Sequence, residues 1–190
     1  MGHKTGKLVL ILGGARSGKS HMAEEMALSG GGDVVYIATA PVYDEEMAHR
    51  VELHRERRPS HWLTLEETTD LAGALQGIPN TTETVLVDCL TLWLTNLLLA
   101  RFDEEISVSE YDRIEEEISI ELAQFCKVAQ EMPFRTIVVA NEVGCGIVPE
   151  STLGRLFRDI AGRANQQVAK AADAVILAVA GYPLQVKGGA

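Results

Sequence analysis

The stretch KLVLILGGARSGKS, Lys7 to Ser20, carries two signals in immediate succession. Its first half is an unbroken apolar run of the kind found in a strand covered on both faces. Its second half, from Gly13, matches G-x-x-x-x-G-K-[ST], and an amphipathic stretch follows it. That order of strand, glycine loop and helix is what a phosphate cradle requires. Glycines let backbone N–H groups curl around an anion, and the helix N-terminus adds partial positive charge. Gly13, Gly14, Ala15, Arg16, Ser17, Gly18, Lys19 and Ser20 are therefore candidate nucleotide ligands. Lys19 would reach the β- and γ-phosphates, and Ser20 would hold Mg²⁺. The dinucleotide fingerprint G-x-G-x-x-G fails, because Ala15 stands at its second glycine.

Working outward, the same alternation repeats. SGKSHMAEEMALSG reads as a helix stopped at Gly30 to Gly32, and DVVYIATA as a second buried strand. YDEEMAHRVELHRERRP reads as a helix, with Asp44 as its cap and Pro59 as its stop. HWLTLEE is short and ambiguous. TTETVLVDC is a third strand, and LTLWLTNLLLA a helix so apolar that it must be buried, with another subunit as one possible cover. SVSE, Ser107 to Glu110, matches a capping box before a helix from about Tyr111 to Glu131. FRTIVVANEVG gives a fourth strand. PESTLGRLFRDIAGRANQQVAKAA gives a long helix with Gly154 and Gly162 as weak points, and DAVILAVAG the last clear strand. Strands alternating with helices predict an α/β fold with a mainly parallel sheet covered on both faces. No composition shift or linker interrupts the chain, so residues 1–190 are expected to form one domain.

The composition narrows the function classes. Hydrophobic residues make up 46 % of the 190 residues, which suits a packed globule. The net charge of -10 disfavours a general nucleic-acid binder, so any anion must be held by a local basic patch. Cys89, Cys126 and Cys145 are odd in number and lack CxxC spacing, which points to a reducing cytoplasm, with Cys89 and Cys126 as buried thiols. No run reaches about 18 apolar residues, so no membrane span is expected. The first apolar run leads into a glycine loop without a cleavage pattern, so it is not read as a signal peptide. Gly6 stands where myristoylation needs Ser or Thr.

Several residues carry possible chemistry. Asp88 ends the apolar strand TVLVD; it suits either a Mg²⁺ ligand or the cap of the next helix. His54 shares a helix face with Met47, Arg50, Val51 and Arg58. Alone, it is an ordinary surface or half-buried histidine. The arginines one turn either side disfavour imidazolium, and a neutral imidazole in a cationic field is a nucleophile suited to phosphorus. Asn141 and Glu142 lie just past a strand, where α/β sheets bind ligands; Gly144 and Gly146 follow them. The same stretch also reads as a plain glycine-rich connection with a helix starting at Pro149. Arg163, Asn165 and Gln166 suit a surface or a subunit interface. Trp62 and Trp93 are expected in the core. His21, His49 and His61 form no zinc pattern.

LGGARSGKS, YIATA, DEEMAHRVELHRERRPSHW, LVDCLTLWLTNLL, ANEVGCGIVPE and FRDIAGRANQQVA, in that order, resemble the bifunctional adenosylcobinamide kinase / adenosylcobinamide-phosphate guanylyltransferase family. The likeness runs over nearly the whole chain. It implies a RecA-like P-loop α/β domain, generally assembled as a homotrimer. Its activities would be phosphorylation of adenosylcobinamide from ATP or GTP, then transfer of GMP from GTP through a guanylyl-histidine. The histidine so implied is His54, before Arg55 in H-[RK]-x-x-R-P; Leu53 stands where some members carry a second histidine. Arg55 and Arg58 would meet the nucleotide, Thr39, Ala40, Pro41 and Glu66 the guanosine, and Ser20 with Asp88 the Mg²⁺. The rivals are a single-activity P-loop kinase, which gives His54 no role, and a nucleotide-binding regulator without transfer chemistry.

Overall fold

A computed structural model describes residues 7–41, 58–102 and 108–188. The described strands form a seven-stranded sheet: β1 (Leu8–Gly13), β2 (Val34–Ala38), β3 (Leu63–Glu66), β4 (Thr84–Asp88), β5 (Arg135–Asn141), β6 (Ala174–Val179) and β7 (Tyr182–Lys187). Their order across the sheet is β3-β2-β4-β5-β1-β6-β7, and every pairing is parallel except β6 with β7. The helices are α1 (Lys19–Ser29), α2 (Leu71–Gly77), α3 (Leu90–Leu99), α4 (Val108–Glu131) and α5 (Thr152–Ala171). The expected α/β class with helices on both faces is thus present.

Alternation along the central strands divides the core. Val9 and Ile11 of β1 pack with Ala23 and Ala27 of α1 on one face. Leu8 and Leu10 pack on the other face, in the cluster that holds the buried sides of α2 to α5. A fully buried strand must be apolar at consecutive positions, which is why β1 shows no polar residue. The glycines after α1 end it as expected: Gly30 caps it, and Gly31 and Gly32 take φ of 67° and 73°. These left-handed values cost a side chain free energy and suit glycine.

The apolar helix α3 is covered by its own chain. Leu90, Trp93, Leu94, Leu97 and Leu98 are buried, Trp93 tilts against Phe125 of α4 at 6.3 Å, and its Nε1 donates to Thr69 O at 2.7 Å. A second subunit is therefore not needed to bury it. Other expectations shift. The ambiguous HWLTLEE supplies the edge strand β3, whose four residues are all exposed. α4 begins three residues before Tyr111. α5 starts after its cap Ser151, whose Oγ accepts from Gly154 N at 3.1 Å, rather than at Pro149, and it continues through Gly154 and Gly162. α2 and β7 are additions. α2 is short, and its one sequence signal is Asp70, whose Oδ1 accepts from Gly73 N at 2.8 Å. β7 gives no clear signal because its residues are exposed and a proline lies inside it, which suits only an edge strand.

Candidate active site

The carboxyl ends of the parallel strands bring the candidate residues to one edge. At β1 the chain leaves the sheet through the glycine loop. Ser17 N donates to Gly14 O at 3.2 Å, and Lys19 Nζ reaches back to Gly14 O at 3.1 Å. Gly18 takes φ of 94°, and a Cβ there would lie 3.1 Å from Gly181 Cα. Glycine is needed at this position for both reasons. Gly181 N also donates to Ser17 O at 2.8 Å, so the β6–β7 turn supports the loop from outside. Gly13 has no room for a side chain either, because Ser17 Oγ occupies that space. That hydroxyl is buried without a hydrogen-bond partner among the described residues. Arg16 is exposed and takes φ of 57° at the loop's outer bend. Lys19 and Ser20 open α1, so their side chains meet any anion held at its N-terminus.

The second group of residues lies at the ends of β2 and β4. Asp88 closes β4, and its Oδ2 accepts from Tyr36 Oη at 3.1 Å. Burial first, and then the Asp88 charge, push the Tyr36 phenol far above its ordinary range, so it remains a donor. The Arg58 guanidinium stacks on the Tyr36 ring at 3.7 Å, and Arg58 is itself buried. The chain Arg58–Tyr36–Asp88 therefore orients the carboxylate and leaves Asp88 Oδ1 outside this hydrogen bond. Asp88 does not cap α3: the cap position is Cys89, with no side-chain cap bond. Burial, with Asp88 beside it, pushes the Cys89 thiol up to about 11. It stays a neutral core thiol near pH 7, as does Cys126, which burial also raises to about 11.

Thr39 lies just past β2. It is wholly buried; its Oγ1 accepts from Cys89 N at 2.8 Å and donates to Cys89 O at 2.7 Å. Its own N donates to Asp88 O, and its O accepts from Asn96 Nδ2. The side chain is a strut behind Asp88. Ala40 and Pro41 are half-buried just past β2, and Glu66 is exposed at the end of β3, in register with Ala38. Glu66 lies four strand positions from β1, roughly 19 Å at about 4.8 Å per strand. His54, Arg50 and Arg55 lie outside the described residues. Arg163 pairs with Glu115 on the surface, whereas Asn165 is buried and donates to Asn141 O at 3.1 Å.

Among the described residues no group of three His, Cys, Asp or Glu forms a metal cage. The donors present, one strand-end carboxylate and one hydroxyl at the first turn of α1, fit an ion that keeps waters and arrives with phosphates. Mg²⁺ is usually bound in that way.

The family model for cobinamide kinase / cobinamide phosphate guanyltransferase matches residues 9–186. The chain belongs to this family. It is 44 % identical to the bifunctional adenosylcobalamin biosynthesis protein CobU of Escherichia coli, over 95 % of this chain and 99 % of that protein. It is 45 % identical to the corresponding CobP of Pseudomonas aeruginosa, over 94 % and 96 %, and 41 % identical to CobU of Salmonella typhimurium, over 95 % and 99 %. The crystal structure of the RadB recombinase superposes with a TM-score of 0.47 at 16 % identity, covering 93 % of this chain and 76 % of that one. Membership makes the chain an enzyme of the kinase and guanyltransferase class, with nucleotide and corrinoid substrates. No helix among the described residues is long and apolar enough to cross a membrane.

Sequence reasoning alone does not single out Tyr36 or Thr91. Tyr36 reads as one more apolar strand residue; its only signal is a polar tip on a buried strand beside the one ending in Asp88. Thr91 reads as part of an apolar helix, yet its Oγ1 accepts from Asn141 N at 2.7 Å.

Proposed function

We propose that this chain phosphorylates the hydroxyl of adenosylcobinamide from ATP or GTP. It then transfers GMP from GTP to the product through a guanylyl-histidine at His54, giving adenosylcobinamide-GDP. The reading is supported most by one observation. In a chain of this family, the glycine loop places Lys19 and Ser20 at the N-terminus of α1, while Asp88 ends β4 on the same edge.

The division of labour follows from the residues. The loop's amides and Lys19 hold the β- and γ-phosphates and offset charge that builds on them. In the kinase step, catalysis comes mainly from positioning the hydroxyl in line with the γ-phosphate. In the transfer step, the neutral His54 imidazole attacks the α-phosphorus of GTP and pyrophosphate leaves. The nitrogen–phosphorus bond then breaks as the corrinoid phosphate attacks. Ser20 and Asp88, the latter oriented by Tyr36, would hold Mg²⁺. When bound, the ion neutralises phosphate charge. Arg55 and Arg58 belong to the cationic field of the same reading, as Ala40, Pro41 and Glu66 belong to its guanosine side. A homotrimer and a cytoplasmic location are part of it as well.

Labelling tests the intermediate. Incubation with α-³²P-GTP and Mg²⁺ is expected to leave an acid-labile, base-stable label on the wild-type chain. His54→Ala should carry none while still phosphorylating adenosylcobinamide. Label retained by His54→Ala would remove His54 from the mechanism. Equal loss of both activities would deny it a role specific to transfer.

A further inference from the structure

The kinase step requires that a hydroxyl lose its proton, and none of the residues assigned so far accepts it. Lys19 is a cation at the phosphates. Asp88 accepts from Tyr36 Oη and serves the ion. The carboxylates that end the parallel strands or follow directly on them, among the described residues, are Asp88, Glu66, Glu67 and Glu142. Glu66 ends β3 and Glu67 follows it, at the far edge of the sheet. Glu67 Oε1 already accepts from Thr69 N, Asp70 N and Thr69 Oγ1, so it builds the turn into α2. Glu142 follows β5, the strand lying between β1 and β4. It is therefore the acidic residue placed between the glycine loop and Asp88.

Its backbone is fixed from three sides. Glu142 N donates to Gly13 O at 3.0 Å, the carbonyl from which the glycine loop departs. The preceding residue is pinned in turn. Asn141 N donates to Thr91 Oγ1 at 2.7 Å, and Asn165 Nδ2 donates to Asn141 O at 3.1 Å. Thr91 and Asn165 are both buried polar residues, on α3 and α5 respectively. Two helices on one face of the sheet thus hold a single strand end. Such bonds are costly to break when buried. They are an elaborate support for a mere connection. The half-buried side chain accepts one bond of its own, from Gly144 N to Oε1 at 2.7 Å. That bond fixes the carboxylate and leaves Oε2 outside it.

From this juxtaposition we propose that Glu142 is the general base of the phosphorylation step. The proposal rests on the kinase reading given above. The substrate's alcohol oxygen attacks the γ-phosphorus, and its proton passes to the Glu142 carboxylate. The new O–P bond forms as the bond from the γ-phosphorus to the β–γ bridging oxygen breaks, and the nucleoside diphosphate leaves. Thr91 and Asn165 are positioning residues, acting through the Asn141 peptide. The transfer step has no such need. There the attacking group is a phosphate already ionised near pH 7, so Glu142 serves one activity of the two.

The test compares Glu142→Gln with wild type in two assays: phosphorylation of adenosylcobinamide, and guanylyl transfer to ready-made adenosylcobinamide phosphate. Glutamine keeps an oxygen for Gly144 N but cannot take a proton. Phosphorylation is expected to fall about 10²- to 10⁴-fold, the usual range for a lost general base. Transfer should change less than about threefold, well below that range. The wild-type kcat/KM for phosphorylation should decline toward acid pH, and the glutamine variant should lose that limb. If Glu142→Gln unfolds, Glu142→Asp decides: a carboxylate one methylene shorter must keep the acid limb at a reduced rate. A glutamine variant that phosphorylates as well as wild type overturns the proposal, as does equal loss of both activities in a folded variant. A wild-type chain that never phosphorylates adenosylcobinamide overturns the kinase reading and this proposal together.

Discussion

The glycine loop and the shoulder formed by β2 and β4 place polar groups on the same edge of the sheet by opposite means. The loop is local: its bends and its lysine lie within Gly13 to Ser20, and its inner bond runs from Ser17 N to Gly14 O. The shoulder is assembled from afar. Tyr36 and Asp88 are 52 residues apart, and Thr39 and Cys89 are 50 apart. A grip on phosphate can be written into one short segment because backbone amides do the holding. A carboxylate that must point in one direction needs partners, and partners come from neighbouring strands. Shoulder variants should therefore change the orientation of one group, whereas loop variants remove the anion site itself.

The sharpest break in that comparison is Asp88→Asn. It is expected to lower both activities on the order of 10²-fold, as loss of one preorganised electrostatic group does. Circular dichroism should show an unchanged fold. Steady-state rates near wild type would detach the shoulder from the chemistry. Next comes Thr39→Val, which keeps the shape but leaves the buried Cys89 N–H without its partner, while the Cys89 carbonyl keeps its bond from Trp93 N. Urea unfolding should show a loss of about 2 kcal/mol or more. A loss near zero would mean that the strut adds nothing to stability.

Tyr36→Phe removes only the hydroxyl that orients Asp88. The Mg²⁺ concentration giving half-maximal activity should rise about tenfold, as it does when a group behind a metal ligand is lost. An unchanged Mg²⁺ requirement would show that Asp88 orients itself. The smallest effect is expected at Gly162, where a Cβ would meet nothing within 4 Å in the middle of α5. Gly162→Ala should raise stability by about 0.5–1 kcal/mol without touching either activity. A loss of stability would place a close neighbour on that face.

The same contrast separates what the amino-acid sequence reveals from what only the folded chain does. β1, the glycine loop and α1 are legible because apolar runs, glycines and Lys19 are each local signals. Asp88 is legible as a strand-end acid, but its pattern leaves the role split between cap and ion. The cap position falls to Cys89 in the folded chain, which removes the first option. The burial of Thr39 behind Asp88 is not legible, because sequence neighbourhood does not report which face of a strand end is covered. Asn165 reads as surface or interface; its buried bond to Asn141 belongs to neither. α3 looks in need of a partner because hydropathy records how apolar a helix is, not what covers it. Glu142 stands out by position alone. The bonds that pin its backbone come from Gly13, Thr91 and Asn165, which no local pattern connects.

One glycine loop serves both activities while each keeps a residue of its own: that is the central claim. Lys19→Ala, assayed in one preparation for adenosylcobinamide phosphorylation and for guanylyl transfer to adenosylcobinamide phosphate, tests it most directly. Both rates are expected to fall together, on the order of 10²-fold or more. Guanylyl transfer at the wild-type rate beside a lost kinase rate would contradict the claim, and would require a second triphosphate site elsewhere on the chain.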